Sequence, residues 1–249
     1  MKDINHYITE KLKITKDIAK PTLFPKTKEE LQKMIKSEIE KNGNECNLNH
    51  IDVSEITDMS SLFVNSKFNG DISLWDVSNV TTMEEMFRSS KFTGKNGDIT
   101  NWDVSNVTNM SRMFHKSKYN GDLSKWDVSK LTSAVSMFCD SKFNGDISDW
   151  DVSSVTYMTN MFRSSKFNGD ISNWDVSNVT NMDSMFAESE FNGDISNWNV
   201  SSVVNLAWMF FNSKFSGDLS NWDVSNVKFM GKIFDGCPLQ NNPPKWYKK

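Results

Sequence analysis

Apolar residues recur along this chain with a fixed period, and that period predicts how the chain folds. Counted from the first residue of each Trp-Asp-Val triplet as position 1, apolar residues stand at positions 1, 3, 6, 9, 12, 13, 18 and 22 of the repeats. Position 1 is occupied by Ile51, Trp75, Trp102, Trp126, Trp150, Trp174, Trp198 and Trp222. These residues are 24 apart, except for one interval of 27. A fixed period of roughly 20 to 50 residues indicates supersecondary units that stack on one another.

Each repeat is predicted to contain one short strand, one short helical segment and a turn. The Trp-Asp-Val triplet alternates apolar and polar residues, which predicts a short strand. Positions 9 to 16, as in MTNMFRSS at residues 158–165, have apolar residues at i, i+3 and i+4, which predicts one or two helical turns. Asn168-Gly169 predicts the turn toward the next strand. Because such a unit is too small to bury its own apolar side, we expect stacked coils with Trp on Trp and internal columns of Met and Phe.

The regular repeat is interrupted once and is flanked by two segments of different pattern. At residues 92–99 the usual FNGDI becomes FTGKNGDI, and an insertion of this kind at a glycine turn is expected in a loop. Thr27 and Glu30 form a capping box that predicts an amphipathic helix over residues 28–42. We expect this helix to cover the first coil, with a docking helix for a partner as the alternative. The predicted segments are an N-terminal helical cap (1–48), a solenoid of about eight coils (49–236) and a tail that is loose or folded over the last coil (237–249).

Charge and cysteine content narrow the classes of protein to which the chain belongs. The 249 residues carry a formal net charge of −4, and residues 1–48 hold ten Lys against eight acids while the remainder holds 18 basic and 24 acidic residues. An acidic body without a basic stripe argues against nucleic-acid binding. Cys46, Cys139 and Cys237 are far apart in the chain, which predicts reduced thiols.

The sequence also carries expectations about location. No apolar run approaches the roughly 18 residues of a membrane span. The opening MKDINHYITEKLKI lacks the continuous apolar stretch of a secretory signal. We therefore expect a cytoplasmic or virion-associated protein that reaches a cell surface only by a non-Sec route. The segment INHYITEKLKI is similar to the leaders of phage-encoded proteins of gut bacteria.

The repeat itself resembles a known family. Residues 171–179 have the L-x-x-L-x-L spacing of a leucine-rich repeat, with Trp and Val replacing Leu, and residues 170–186 read DISNWDVSNVTNMDSMF. This phrase resembles the repeat of the BspA-like leucine-rich-repeat surface proteins, which include mycoplasmal and phage-encoded members, and the resemblance covers residues 51–236. It implies an α/β solenoid with a parallel sheet on one side, here a right-handed coil, and a role in surface adhesion or protein binding.

Acidic residues recur at position 2, where a polar ladder is expected along the predicted sheet. The acids are Asp52, Asp76, Asp103, Asp127, Asp151, Asp175 and Asp223, and Asn199 is the exception. Coils about 4.8 Å apart would place like charges side by side, with a repulsion of roughly 1 kcal/mol per pair. Ser and Asn hydrogen bonds, a cation or a basic partner would compensate for it. A pair of such acids also matches the spacing of a retaining glycosidase, but a uniform ladder does not separate the acid from the nucleophile, so no catalytic residue is predicted.

A second acidic series stands at position 21, and lysines recur at position 17. The acids are Asp71, Asp98, Asp122, Asp146, Asp170, Asp194 and Asp218, and the lysines include Lys67, Lys91, Lys118, Lys142, Lys166 and Lys214. We expect these acids to stabilise the turns and the lysines to lie on the surface. Mutual neutralisation of the two series and calcium on the acids are the alternatives. Met at positions 9 and 12 is assigned to the core, and Ser at position 16, as at Ser141 and Ser165, to backbone hydrogen bonds. No metal or cofactor site is predicted.

Positions 8, 10, 11, 14 and 15 vary most between the repeats. The residues there include Arg88, His115, Lys116, Arg163, Glu188, Trp208 and Phe211. Asn199 interrupts the acidic series near Trp208 and Phe211, so we expect the seventh coil to be an exposed contact patch. The candidate partner-binding residues are Asp76, Asp103, Asp127, Asp151, Asp175, Asp223, Trp208 and Phe211.

Together these features predict a non-enzymatic repeat protein that acts as an interaction module for a protein or a glycan. The alternative is a structural component of a virion or another assembly, with the solenoid as a rigid spacer.

Overall fold

The structure, a computed structural model, describes residues 20–248, so the segment similar to phage-encoded leaders, residues 4–14, lies outside the described residues. Its α-helix α1 spans Lys28–Asn42, and the Thr27 hydroxyl accepts a hydrogen bond from the Glu30 backbone N–H at 3.2 Å. The Glu30 carboxylate accepts from the Lys26 backbone N–H at 2.7 Å and not from that of Thr27, so one of the two bonds of the predicted capping box is present. Leu31 and Ile35 of α1 are buried in the same core as the repeats. No helix among residues 20–248 has the length and apolar character needed to cross a bilayer.

Successive repeats are joined by parallel bridges at position 8, not at the Trp-Asp-Val triplet. The bridged residues are Asp58, Thr82, Asn109, Ser133, Tyr157, Asn181, Asn205 and Phe229. The backbone hydrogen bonds of each bridge are made by residues next to the bridged ones. For example, the Thr180 N–H donates to the Thr156 carbonyl at 3.0 Å. The triplet forms a turn instead, in which the Trp174 N–H donates to the Ile171 carbonyl three residues back at 3.2 Å. The predicted strand was therefore wrongly placed, because its in-and-out alternation is also produced by a turn that buries Trp and Val.

Positions 9 to 16 form two successive turns in place of the predicted helical turns. In the repeat that begins at Trp150, Asn160 and Ser164 have φ angles of 57° and 53°, which a right-handed helix excludes. Their N–H groups donate to the next repeat, to the carbonyls of Asp183 and Ala187, each at 2.8 Å. A helix would keep these donors within the repeat. The prediction was wrong because the turns also bring the apolar positions to one side.

The interior consists of side-chain columns that run from repeat to repeat. The rings of Trp150 and Trp174 lie 6.5 Å apart with an interplanar angle of 2°. Phe162 stacks on Phe186 at 5.8 Å in a second column. The indole N–H of Trp174 donates to the carbonyl of Ile147 in the neighbouring repeat at 3.0 Å. This bond satisfies the one polar atom of the buried ring, so the tryptophan connects repeats by both stacking and hydrogen bonding.

The C-terminal segment continues this column for one more step. After a 3₁₀-helix at Pro238–Gln240, Trp246 stands 24 residues beyond Trp222. Its indole N–H donates to the Leu219 carbonyl at 2.7 Å, and its ring lies 5.8 Å from that of Phe234. Of the two tail conformations left open by the sequence, the structure shows the one that is folded over the last repeat.

Candidate binding surface

Two clefts lie on one surface, formed by positions 10, 11, 14 and 15 of the repeats, which we call the variable face. The first cleft has a volume of about 310 Å³ and is lined by Arg163, Glu188, Trp208 and Phe211, among others. The second has a volume of about 360 Å³ and is lined by His115, Cys139, Asp140, Arg163 and Glu188, among others. The clefts share Arg163 and Glu188 and are therefore neighbours along the stack. The sequence positions that vary most between repeats thus line both clefts.

An exposed tryptophan and a half-buried phenylalanine define the first cleft, which we call the aromatic cleft. The rings of Trp208 and Phe211 meet edge to face with centroids 4.7 Å apart, and Trp208 is 37% exposed. The ammonium of Lys232 lies 4.5 Å from the centre of the Trp208 ring. Trp208 has a φ angle of 60°, and its N–H donates to the Gly231 carbonyl at 3.0 Å. The next repeat thus holds the backbone of an exposed aromatic side chain.

Charged groups form the boundary between the clefts. The Arg163 guanidinium donates to the Glu188 carboxylate at 3.2 Å, and the Ser164 hydroxyl donates to the other carboxylate oxygen at 3.0 Å. Asp183 accepts from the amide of Asn205 at 3.3 Å on the floor of the aromatic cleft. These contacts connect adjacent repeats, so the polar groups beside the aromatic pair are held in fixed places.

Three different metal-ligating side chains converge in the second cleft, which we call the His-Cys cleft. One ligand atom each of His115, Cys139 and Asp140 lies within 4.8 Å of the others. Burial raises the pKa of the Cys139 thiol to about 11, and the nearby Asp140 carboxylate adds to this effect. Burial also lowers the pKa of His115. At neutral pH the cleft therefore holds a neutral imidazole and a protonated thiol.

This group was not predicted, because the histidines and cysteines are far apart along the sequence. His115 and Cys139 both occupy position 14, in consecutive repeats, and Asp140 follows at position 15. The signal in the sequence is their shared position: residues at positions 14 and 15 of consecutive repeats are expected to lie next to each other.

The structure separates the position 2 acids from both clefts. The residues that line the clefts all come from positions 10, 11, 14 and 15. Each of the candidate acids Asp76, Asp103, Asp127, Asp151, Asp175 and Asp223 is exposed. Asp151, for example, accepts hydrogen bonds from the backbone N–H and the hydroxyl of Ser153 at 3.0 and 2.6 Å. The acids and the aromatic pair were predicted as one set of binding residues, but they do not share a cleft.

The Ser hydrogen bonds provide the compensation that the acidic series requires. Bonds from the side chain and then the backbone of Ser129 lower the pKa of Asp127, and Ser177 acts in the same way on Asp175. Asn178 adds a link between repeats, since its amide donates to the Ser153 carbonyl at 2.9 Å. Of the three compensations considered from the sequence, the structure contains the Ser and Asn hydrogen bonds.

The position 21 acids are held by similar turns. Bonds from the backbone and then the side chain of Ser148 lower the pKa of Asp146, while the charges of Asp122 and Asp170 in the neighbouring repeats raise it. The turn-stabilising role expected for these acids is therefore present. The alternative, neutralisation by the position 17 lysines, is not formed within residues 20–248, where Lys166 pairs with Glu190 instead. These acids therefore form an exposed row of like charges.

The Ser residues of position 16 have the predicted role. Ser141 and Ser165 are buried, and their hydroxyls accept from the backbone N–H groups of Phe143 and Phe167 at 3.1 and 3.3 Å. They satisfy backbone donors next to the Phe column, so they belong to the scaffold.

Two stretches of the chain, residues 29–144 and 137–247, match the family described as "Mycoplasma protein of unknown function, DUF285". Together they include both clefts, α1 and Trp246. Searches of curated proteins and of solved structures gave no match.

Proposed function

The chain belongs to this mycoplasma-type repeat family of unknown function, and from that premise we propose that it is a non-enzymatic interaction module that binds a protein through the variable face. A glycan is the second candidate ligand. Membership of the BspA-like leucine-rich-repeat proteins is part of the proposal, as is a right-handed solenoid built from the stacked repeats. The parallel bridges at position 8 and the stacked Trp and Phe columns support such a solenoid.

The exposed Trp208 beside Phe211 is the observation that carries the proposal. The position 1 tryptophans from Trp75 to Trp222 are only 3 to 4% exposed. Trp208, which stands at position 11, is 37% exposed. Trp, Tyr and Arg are the residues most enriched among those that dominate binding energy at protein interfaces. Arg163 lies in the same cleft, with its polar groups already held in place. An exposed tryptophan that packs on a half-buried phenylalanine next to a fixed ion pair therefore supports a preformed binding site.

The remaining chemistry favours binding over catalysis. A catalytic pair of carboxyl groups needs two different environments, so that one group is an acid while the other is ionised. The position 2 acids have nearly identical environments, because Asp103 and Asp151 each accept hydrogen bonds from the Ser two residues later in the chain. This uniformity supports a polar scaffold surface.

The test compares Trp208→Ala and Phe211→Ala with Tyr157→Ala. Tyr157 is also an exposed aromatic residue, but it lies at position 8 and lines neither cleft. The immobilised full chain is used to capture proteins from host extract and to probe a glycan array, and the affinity of each purified ligand is then measured by calorimetry.

We expect Trp208→Ala to weaken the binding of the identified ligand by at least about 2 kcal/mol, a roughly 30-fold loss of affinity. A loss of this size is typical of a dominant interface residue. Tyr157→Ala should leave the affinity unchanged, and the melting temperatures of all three variants should stay close to that of the parent chain. Equal affinity of parent and Trp208→Ala would contradict the proposal, and a large fall in melting temperature would show that Trp208 is part of the core.

A further inference from the structure

The His-Cys cleft contains the side chains of a transition-metal site. A sulfur, a nitrogen and a carboxylate oxygen converge from His115, Cys139 and Asp140, with all three ligand atoms within 4.8 Å of one another. The Cys139 sulfur lies 3.9 Å from the nearer Asp140 oxygen. The Nδ1 atom of His115 is buried and has no hydrogen-bond partner among the described residues. A buried polar atom without a partner is unfavourable, and a metal ion or a water held by it would satisfy this group.

We propose that this cleft binds a zinc ion through His115, Cys139 and Asp140. Zinc is bound in proteins by Cys sulfur, His nitrogen and Asp or Glu oxygen, while calcium and magnesium select oxygen ligands alone. Three protein ligands leave one tetrahedral position open for water or for a group from a bound partner. The proposal is separate from the binding function above, because it concerns the neighbouring cleft.

The geometry needs only a small adjustment to hold the ion. Zinc bonds of about 2.0 to 2.3 Å in a tetrahedral arrangement place ligand atoms about 3.3 to 3.6 Å apart. The three atoms, which lie within 4.8 Å of one another, therefore need to approach by up to about 1.5 Å, which side-chain rotation supplies. The backbones are already fixed, since the Lys116 N–H donates to the Cys139 carbonyl at 2.9 Å. Asp140 is exposed and lines the cleft, so the ion has an entry path.

Most charged residues around the cleft form ion pairs with one another. The two anionic ligands, the Asp140 carboxylate and the Cys139 thiolate, can therefore bind the ion. Arg163 is bound to Glu188 at 3.2 Å. Arg88 and Arg112 both contact Glu85, at 3.5 and 3.2 Å. Zinc replaces the thiol proton on binding, and the proton is released to solvent.

Zinc itself and cobalt(II), its spectroscopic substitute, are the probes. Titration of the reduced full chain by calorimetry is expected to show one zinc ion per chain. Cobalt(II) is expected to give a thiolate-to-metal charge-transfer band and the visible bands of a tetrahedral site. Zinc should also raise the melting temperature, because the ion joins two repeats and binds only the folded chain.

The variants are His115→Ala, Cys139→Ser and Asp140→Asn, with Cys46→Ser as the control that removes a thiol outside the cleft. Asp140 is exposed and has a φ angle of 54°, which Asn tolerates, so Asp140→Asn keeps the fold. Each cleft variant should lower the affinity for zinc by more than about 100-fold, since even the loss of a residue that only contacts a metal ligand costs roughly 10- to 100-fold. Cys46→Ser should bind zinc as tightly as the parent chain.

Two results would overturn the proposal. One is the absence of stoichiometric zinc binding. The other is binding that lacks the cobalt thiolate band or survives in Asp140→Asn and Cys139→Ser alike, which would identify an adventitious ion only. Circular dichroism of every variant separates loss of zinc from loss of folding.

Discussion

Positions 11 and 15 are held in the left-handed region of backbone space in every repeat. Fifteen non-glycine residues there have φ angles between 51° and 61°, and Gly236 has a φ angle of 74° at the last such position. The left-handed conformation costs an L-residue about 1–2 kcal/mol. The N–H groups at these positions donate to the next repeat, as Asn160 does to Asp183 at 2.8 Å. The strain is thus offset by hydrogen bonds that form only between stacked repeats.

Lys116→Gly tests this strain, with Lys118→Gly as the matched control. Both lysines are exposed, but Lys116 has a φ angle of 55° whereas Lys118 is not among the residues with positive φ. Glycine adopts the left-handed region freely but loses about 0.5–1 kcal/mol of backbone entropy relative to Ala. We expect Lys116→Gly to raise the free energy of unfolding by up to about 1 kcal/mol and Lys118→Gly to lower it by about 0.5–1 kcal/mol. Urea unfolding in chelator measures both, and equal effects would contradict the strain argument.

Tyr119 is the one polar ring in the position 18 column of the described repeats. It stacks on Phe92 with ring centroids 5.9 Å apart, and it is fully buried. Its hydroxyl has no hydrogen-bond partner within the described part of the chain. Burial raises the pKa of this phenol, and the charges of Asp98 and Asp122 raise it further. The side chain is therefore neutral and carries an unsatisfied group.

Tyr119→Phe is expected to stabilise the protein. Removing an unsatisfied buried hydroxyl relieves a desolvation cost of about 1–3 kcal/mol, less the packing lost with the oxygen atom, so we expect a net gain of about 1 kcal/mol. Phe143→Tyr, which adds a hydroxyl to the same column, should lower stability by a similar amount. Chemical unfolding of both variants is the measurement. A loss of stability in Tyr119→Phe would mean that the hydroxyl is satisfied by bound water.

At the scale of the element, the acidic turns make the repeats sensitive to acid. Ser hydrogen bonds lower the pKa of Asp127 and Asp175 from the ordinary value of 3.8. A carboxyl whose pKa is lower in the folded state stabilises the fold above its unfolded pKa. That contribution is lost as the pH falls through the folded pKa. Stability should therefore decline below a pH of about 3.8.

The variant Asp127→Asn/Asp175→Asn removes the titration and keeps the turn. Asn199 already shows this, since its side-chain oxygen accepts from the Ser201 hydroxyl at 2.7 Å. We expect the stability advantage of the parent chain over the variant to be constant above a pH of about 4 and to shrink below it. Unfolding curves between pH 2 and 7 give the difference directly. A difference that does not change with pH would show that these turns contribute nothing through ionisation.

Local sequence signals predicted α1 well and the elements of the repeat poorly. The Thr27 and Glu30 bonds that start α1 lie within a few residues of each other, so a short stretch of sequence contains the whole signal. The bonds that shape positions 9 to 16 go to the next repeat, as from Ser164 to Ala187. A pattern of apolar spacing records which side chains are buried, but it does not record where the backbone donors go.

The candidate site was predictable in its parts rather than in its arrangement. Variation between repeats pointed to Arg163, Glu188, Trp208 and Phe211, and the structure places all four around the aromatic cleft. The position 2 acids were grouped with them because both were expected to be exposed. Exposure alone does not say which residues share a cleft, since that depends on how the turns orient each position.

At the scale of the whole molecule, the contacts that hold the stack together join each repeat to its neighbours. Parallel bridges, ring stacks and indole hydrogen bonds all connect residues about one period apart, as between Trp222 and Ile195. In such a stack, stability is a sum of repeat terms and neighbour terms. Both ends are covered, by Leu31 and Ile35 of α1 at one and by Trp246 at the other. Changes at an end should therefore act locally, and changes in the middle should act on the whole chain.

Trp246→Ala and Trp126→Ala test this difference with the same substitution at an end and in the middle. Trp246 is half-buried and has the last repeat on one side, while Trp126 is buried and has repeats on both sides. We expect Trp126→Ala to lower the free energy of unfolding by about 3–5 kcal/mol and Trp246→Ala by clearly less. Hydrogen exchange should accelerate throughout the stack in Trp126→Ala, but mainly between Trp222 and the C-terminus in Trp246→Ala. Uniform acceleration in Trp246→Ala would show instead that the repeats unfold as one cooperative body whose stability depends on its C-terminal cover.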